Sequence, residues 1–194
     1  MFGSRRTRRA ASPKDRTRRE RGAAALEFAL IAPLFFFVIF GGIEVGLMFR
    51  SNLTVSDLTR NAARIGSIER TSADADRAIL GRVYWQSQNL NGDIQRVVIF
   101  KADSLSSEVP SNCLSGGSVS DVCNVYITPA GGGSDDIKAL SEGTGNLQTG
   151  YLPASRTQLT NIGIFVEYEY QYVTGFLDTI TLTSTSVEVV ELDL

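Results

Sequence analysis

The fold of this chain is decided by residues 21–49, RGAAALEFALIAPLFFFVIFGGIEVGLMF, which join a basic leader to a long apolar segment. No residue between Glu27 and Glu44 is charged, and these two acids alone interrupt the apolar run 23–49. At about 1.5 Å per residue, a helix over that run is roughly 40 Å long, which exceeds the ~30 Å hydrocarbon core of a bilayer. The sequence therefore predicts one membrane-spanning helix.

Small residues stand before this apolar run, as Gly22 followed by three alanines. In a secretory signal peptide the small residues follow the apolar core, because cleavage occurs there. Here the order is reversed. Cleavage between Gly22 and Ala23 would remove the basic leader and leave the apolar helix on the mature protein.

Charge is distributed very unevenly along the chain. Residues 1–22 hold nine Lys/Arg and two acids, whereas residues 23–194 hold ten Lys/Arg and nineteen acids. A basic cluster beside a first membrane helix stays in the cytoplasm, so we expect a cytoplasmic N-terminus and a translocated C-terminal part. An Arg-rich arm that binds nucleic acid is the alternative. The leader adjoins an apolar span rather than a folded basic domain, so we expect no nucleic-acid partner.

Several residues of this region together form a recognisable pattern. It consists of Gly22, the Glu27-Phe28 pair five residues into the mature chain, Pro33, Glu44 with Gly46, and the run 61–64, Asn-Ala-Ala-Arg. Residues 20–66 thereby resemble the TadE-like minor pilins (pseudopilins) of tight-adherence (Flp) type IV pilus systems. The remainder of the chain carries no such resemblance.

The resemblance implies a bacterial inner-membrane protein with a periplasmic domain, which a prepilin peptidase cuts after Gly22. Its expected partners are the major pilin and other minor pilins through the N-terminal helix, the inner-membrane assembly platform and membrane lipid. Its expected role is to prime a pilus for surface adherence or to occupy the pilus tip. The alternative is a signal-anchored, single-pass envelope protein whose outer domain binds another envelope component without entering a filament.

The presence of Glu27 and Glu44 in the apolar run requires an explanation, since insertion of a carboxylate into lipid costs on the order of 2.5–3.5 kcal/mol. In a filament, Glu27 of one subunit could pair with the new α-amino group of Ala23 on a neighbour, which would set the register between subunits. An interfacial residue that reaches headgroup water is the alternative. The expected assembly residues are Glu27, Phe28, Pro33, which should kink the helix, and Glu44.

Beyond Phe49 the pattern predicts an α+β fold, in which helices pack on one face of an antiparallel sheet. The helix should continue to about Gly66, and a second helix should begin with Thr71 as its cap and close at the turn 91–92. Alternation of apolar residues predicts strands. These are residues 94–102, 124–128, 162–173 and 180–192, with a bulge near 184–187 and loops over 103–123 and 130–160. The expected divisions are a leader 1–22, a spanning helix 23–49, its continuation 50–68 and an outer domain 69–194.

Cys113 and Cys123 are the only cysteines and lie in a polar loop. In an oxidising compartment, two such cysteines are most simply one disulfide. A metal pair is the alternative, but the chain has no histidine to complete it.

The composition also argues against most catalytic sites. Without histidine there is no Ser-His-Asp triad and no His-ligated metal. A membrane-tethered enzyme with a catalytic pair of carboxylates is a third hypothesis, but the sequence around the acids singles out no such pair. We therefore expect no enzyme, no metal and no cofactor. Gly131–Asp136 could ligate Ca²⁺ but reads better as a solvated loop, and the stripe Tyr168, Tyr170 and Tyr172 as a sheet core rather than a sticky surface.

Overall fold

The computed structural model describes residues 13–69, 72–128, 133–143, 147–148, 151, 161–175 and 178–190. The chain divides into two compact units, Met1–Ile43 and Glu44–Leu194.

In the first unit, helix α1 (Pro13–Glu69) begins and continues without interruption through Pro33. Its part Gly22–Glu69 meets the length and composition of a membrane span, with a mean hydropathy of 2.4 over the most apolar window. Nearly all side chains between Gly22 and Ile43 are exposed. An apolar stretch of helix that the described residues leave uncovered from Gly22 to Ile43 indicates a membrane anchor.

The second unit contains a four-stranded antiparallel sheet in the order β2-β1-β3-β4. The strands are β1 (Gly92–Lys101), β2 (Cys123–Ile127), β3 (Asn161–Gln171) and β4 (Thr179–Val189). Each begins within two residues of its predicted start. The predicted α+β fold is thus confirmed.

The bulge predicted near residues 184–187 is wrong, because β3 and β4 pair without a register shift. The shift lies in β1, between Ile94 and Arg96. It lets Ile94 and Val97 both face the same core although they are three residues apart. As an edge strand that is largely exposed, β4 has no buried face that a bulge would need to restore.

One face of the sheet carries the helices. These are the C-terminal part of α1, α2 (Ala75–Ser87) and α4 (Gly133–Ser141). The prediction of a loop over 130–160 is wrong where α4 forms. The Gly and Ser residues of this region favoured a loop, but Ile137 of the helix is fully buried.

The predicted cap of the second helix, Thr71, lies outside the described residues. Helix α2 begins after Asp74, whose backbone N–H donates to the Ser72 hydroxyl.

The opposite face of the sheet carries a smaller core over β1 and β3. Phe100 and Phe165 lie there with both cysteines. The chain between β1 and β2 covers this face, and it contains a short helix, α3 (Ser111–Ser115), where a loop was predicted. The sheet is therefore buried on both sides in its centre.

Candidate functional site

The predicted cleavage site lies on the exposed part of α1. Gly22 and Ala23 are both exposed, and a side chain added at Gly22 would meet no other atom within 4 Å. No described residue outside the helix covers this bond.

Glu27 and Phe28 lie next along the same exposed surface. Glu27 stands four residues after Ala23, which places the two residues on the same side of the helix. Phe28 is 69% exposed. Among the described residues, no hydrogen bond or ion pair involves Glu27.

Glu44 is placed very differently from Glu27. It is the first residue of the second unit and is only 3% exposed. The backbone N–H of Val173 donates to its Oε1 at 2.6 Å, and the N–H of Thr174 donates to its Oε2 at 3.1 Å. Hydrogen bonds to a carboxylate are stronger than neutral ones. Glu44 therefore fastens the turn after β3 onto α1, a contact that sequence reasoning missed.

The tyrosine stripe of β3 lies beside this contact. Tyr168 and Tyr170 are almost fully buried, whereas Tyr172 is half-buried and its hydroxyl lies 3.6 Å from Met48 Sδ. Burial raises the pKa of the Tyr170 hydroxyl, and the nearby Glu44 carboxylate and Tyr172 raise it further. Burial, with Asp93 and Tyr170, likewise raises the pKa of Tyr168. The stripe belongs to the sheet core, as predicted.

The two cysteines form the predicted disulfide, with their Cα atoms 6.4 Å apart. Both are fully buried in the smaller core, on the face of the sheet opposite the helices. The bond joins α3 to the start of β2 and holds the covering segment on Phe100 and Phe165.

A buried polar cluster lies on the helix side of the sheet and was not predicted. Asp76 of α2 is 1% exposed and accepts from Tyr126 Oη at 2.6 Å and from Asn124 Nδ2 at 2.7 Å. Asn124 also bonds the backbone of Tyr151 through both amide atoms. An acid within the buried stripe of α2 was the signal for this cluster. Its contacts are internal, which fits a role in fold specificity.

The part of the chain that the structure describes holds no group of three His, Cys, Asp or Glu side chains able to bind a metal. Of the Gly131–Asp136 segment, residues 131–132 lie outside the described residues, and Asp135 and Asp136 form the first turn of α4. The interpretation of this segment as a solvated loop is therefore wrong for its second half. An oxygen-lined loop for Ca²⁺ is not what these two acids form.

Comparison with protein families finds a match in the N-terminal part of the chain. The family model described as TadE-like protein matches residues 22–64, which agrees with the resemblance drawn from Gly22, Glu27 and the residues that follow. No curated protein and no solved structure matches the chain. The match covers the exposed apolar helix and the first turns that pack on the domain, and it is consistent with a member of the TadE-like pilin family, which indicates a role in Tad pilus systems.

Proposed function

We propose that this protein is a minor pilin of a Tad (Flp) pilus. It is inserted in the inner membrane with its leader in the cytoplasm and its domain in the periplasm. A prepilin peptidase cuts it after Gly22, and its helix then packs among the helices of the major pilin and other minor pilins. There it primes assembly or occupies the tip of a filament that serves surface adherence.

The observation that carries this proposal is the division of α1 into two different parts. From Gly22 to Ile43 its apolar side chains are exposed, whereas from Glu44 onwards the helix is built into a folded domain. Exposed apolar surface of this extent needs lipid or other apolar helices as cover. When a subunit leaves the bilayer and enters a filament, the apolar helices of its neighbours replace lipid as the cover of this surface.

The domain that follows suits a minor rather than a major subunit. Its four-stranded sheet and two cores are far larger than the short major pilins of such systems require. The disulfide Cys113–Cys123 fits an oxidising compartment such as the periplasm.

Cleavage is the step to test first. Intact mass of the membrane-extracted protein from cells with the peptidase should show loss of residues 1–22. Gly22→Leu should block the cut by placing a bulky side chain at the scissile bond. Gly41→Leu is the matched control, because both glycines lie on the exposed helix with nothing within 4 Å.

Filament entry is the second step of the test. The cut protein should co-purify with sheared pili or with pilin partners, and Gly22→Leu should not. Recovery of only the full-length chain, with normal piliation, would favour the alternative of a signal-anchored envelope protein.

A further inference from the structure

A polar pocket lies where α1 enters the domain, and neither the family match nor the proposed pilus role accounts for it. Its volume is about 270 Å³, near the lower end for small-molecule sites. Arg50 and Thr54 of α1, Gln86 and Asn89 near the end of α2, and Tyr170 of β3 contribute polar walls. All of these residues belong to the second unit.

The pocket is rich in hydrogen-bond donors that lack acceptors. Arg50 forms no ion pair with any described residue, and the buried Tyr170 hydroxyl finds no acceptor among them. Gln86 uses Oε1 to accept from Asn61, which leaves its Nε2 donors for another partner. The Tyr170 hydroxyl is the buried donor of this group, and a buried donor without an acceptor is unfavourable, so an acceptor oxygen in the pocket would satisfy it. Arg50 is exposed and is free to pair with the same ligand.

The charge of the pocket selects an anion. Arg50 is the only charged side chain among its lining residues. The nearby Glu44 carboxylate is buried, and both of its oxygens already accept backbone N–H groups. Guanidinium groups bind phosphate oxygens in two parallel hydrogen bonds, which an amide-lined pocket would supplement.

The position of Arg50 in the sequence selects a lipid as the source of that phosphate. Arg50 directly follows the apolar run that ends at Phe49 and is the first basic residue after Arg21. The exposed apolar part of α1, residues 22–43, is about 33 Å long at 1.5 Å per residue and fills the hydrocarbon core. Arg50 then lies about 10 Å further along the helix, and its long side chain, which tilts toward the helix N-terminus, reaches back to the lipid headgroups. Two apolar walls, Leu47 and the exposed Val173, could lie against the glycerol and upper acyl chain.

We infer that this pocket binds the phosphodiester headgroup of an anionic glycerophospholipid in the outer leaflet of the inner membrane. Arg50 pairs with the phosphate, and Tyr170, Gln86 and Asn89 donate to its oxygens or to the headgroup glycerol. The bound lipid fixes the domain at the membrane surface before the subunit leaves the bilayer. The inference needs the chain to be membrane-anchored, which the proposed function also assumes, but it does not need filament entry.

The test uses the purified full-length chain in neutral detergent, mixed with equal amounts of phosphatidylglycerol and phosphatidylethanolamine. Native mass spectrometry then counts the lipids that each protein retains. The wild type should retain phosphatidylglycerol preferentially. Arg50→Gln should weaken this retention at least about tenfold, since a charge-assisted contact is lost. Arg60→Gln is the matched control, because Arg60 is exposed on the same helix outside the pocket.

A second variant separates binding from folding. Tyr170→Phe removes only the hydroxyl, so the domain should unfold at the same or a higher temperature without lipid, whereas retention should fall about fivefold. Equal retention by wild type and Arg50→Gln would overturn the inference. So would glycerol phosphate that binds the wild type in lipid-free detergent as tightly as phosphatidylglycerol does, because the site would then take a soluble anion. Either failure leaves the cleavage and piliation tests of the proposed function untouched.

Discussion

At the scale of single residues, the two acids of the apolar run have different surroundings although they look alike in sequence. Glu27 is exposed and has no polar partner among the residues that the structure describes, whereas Glu44 is buried and accepts two backbone N–H groups. The cost of an acid near lipid is offset within the fold for Glu44. For Glu27 we expect it to be offset by the α-amino group of a neighbouring subunit, as proposed above.

Glu44→Ala should destabilise the domain by about 2–3 kcal/mol, because the N–H groups of Val173 and Thr174 lose a charged acceptor in a buried place. Glu44→Gln should cost less, since one acceptor oxygen remains. Thermal unfolding of the detergent-solubilised chain, followed by near-UV circular dichroism of the tyrosines, measures the loss. Asp57→Ala, at an exposed site of the same helix, is the control. An unchanged unfolding temperature for Glu44→Ala would mean that the contact contributes nothing to stability.

Glu27→Ala should insert in the membrane and be cut normally, because neither step needs the carboxylate, but it should fail to form filaments. The α-amino group of Ala23 would be left unpaired among apolar helices, and the register between subunits would lose its polar contact. Glu27→Asp should be intermediate, because its charge remains while its reach is shorter by one methylene. Piliation and pulldown of pilin partners are measured beside cleavage. Normal piliation with Glu27→Ala would show that Glu27 is only an interfacial residue and has no role in assembly.

At the scale of elements, the packing of β1 against β3 requires a residue without a side chain at one position of β3. Gly163 of β3 pairs with Phe100 of β1, and a Cβ at Gly163 would lie 2.2 Å from the Phe100 ring. Phe100 is fully buried in the smaller core, so its ring can shift only if neighbouring side chains also move. The aromatic ring therefore occupies the place that a side chain on β3 would take.

Gly163→Ala should therefore destabilise the domain by about 2 kcal/mol or more, as overpacking of a buried core does. Gly117→Ala is the matched control, because nothing lies within 4 Å of its added Cβ. Chemical denaturation of both variants gives the comparison. Equal midpoints for the two would show that β1 and β3 can separate to admit the methyl group without cost.

The disulfide also stabilises an element of the fold, since it holds α3 on the smaller core, on the face of the sheet opposite the helices. Replacement of Cys113 and Cys123 by serine should lower stability by about 2–3 kcal/mol, by release of the closed loop in the unfolded chain. The Phe100 and Phe165 side chains should also become more exposed to solvent. Denaturation of wild type with and without reductant should reproduce the difference. A reductant effect that persists in the double serine variant would point to another cause.

At the scale of the whole molecule, the charge asymmetry predicts the orientation in the membrane. Protease added to spheroplasts should digest the chain beyond residue 50, whereas the basic leader or its cut end stays protected. Alkylation without reduction should label neither cysteine in intact cells. Protection of the domain together with reactive thiols would place it in the cytoplasm and would contradict the periplasmic assignment.

The sequence by itself determined those features that depend on neighbours along the chain. The uncharged run gives a helix long and apolar enough to span a membrane, because length and hydropathy are local quantities. Alternation over residues 162–173 gives β3 and its buried side, since successive side chains of a strand point to opposite faces. The pair Cys113 and Cys123 is likewise close in sequence, and the bond between them was predictable from it.

Only the tertiary structure decided the features that depend on distant partners. Glu44 meets backbone groups 129 and 130 residues away, and Asp76 meets Tyr126 across the domain. The donors around Arg50 come from α1, α2 and β3, so no local pattern could join them into one pocket. Periodicity states which side of an element is buried. It does not state which atoms lie opposite, because that is fixed when the elements pack together.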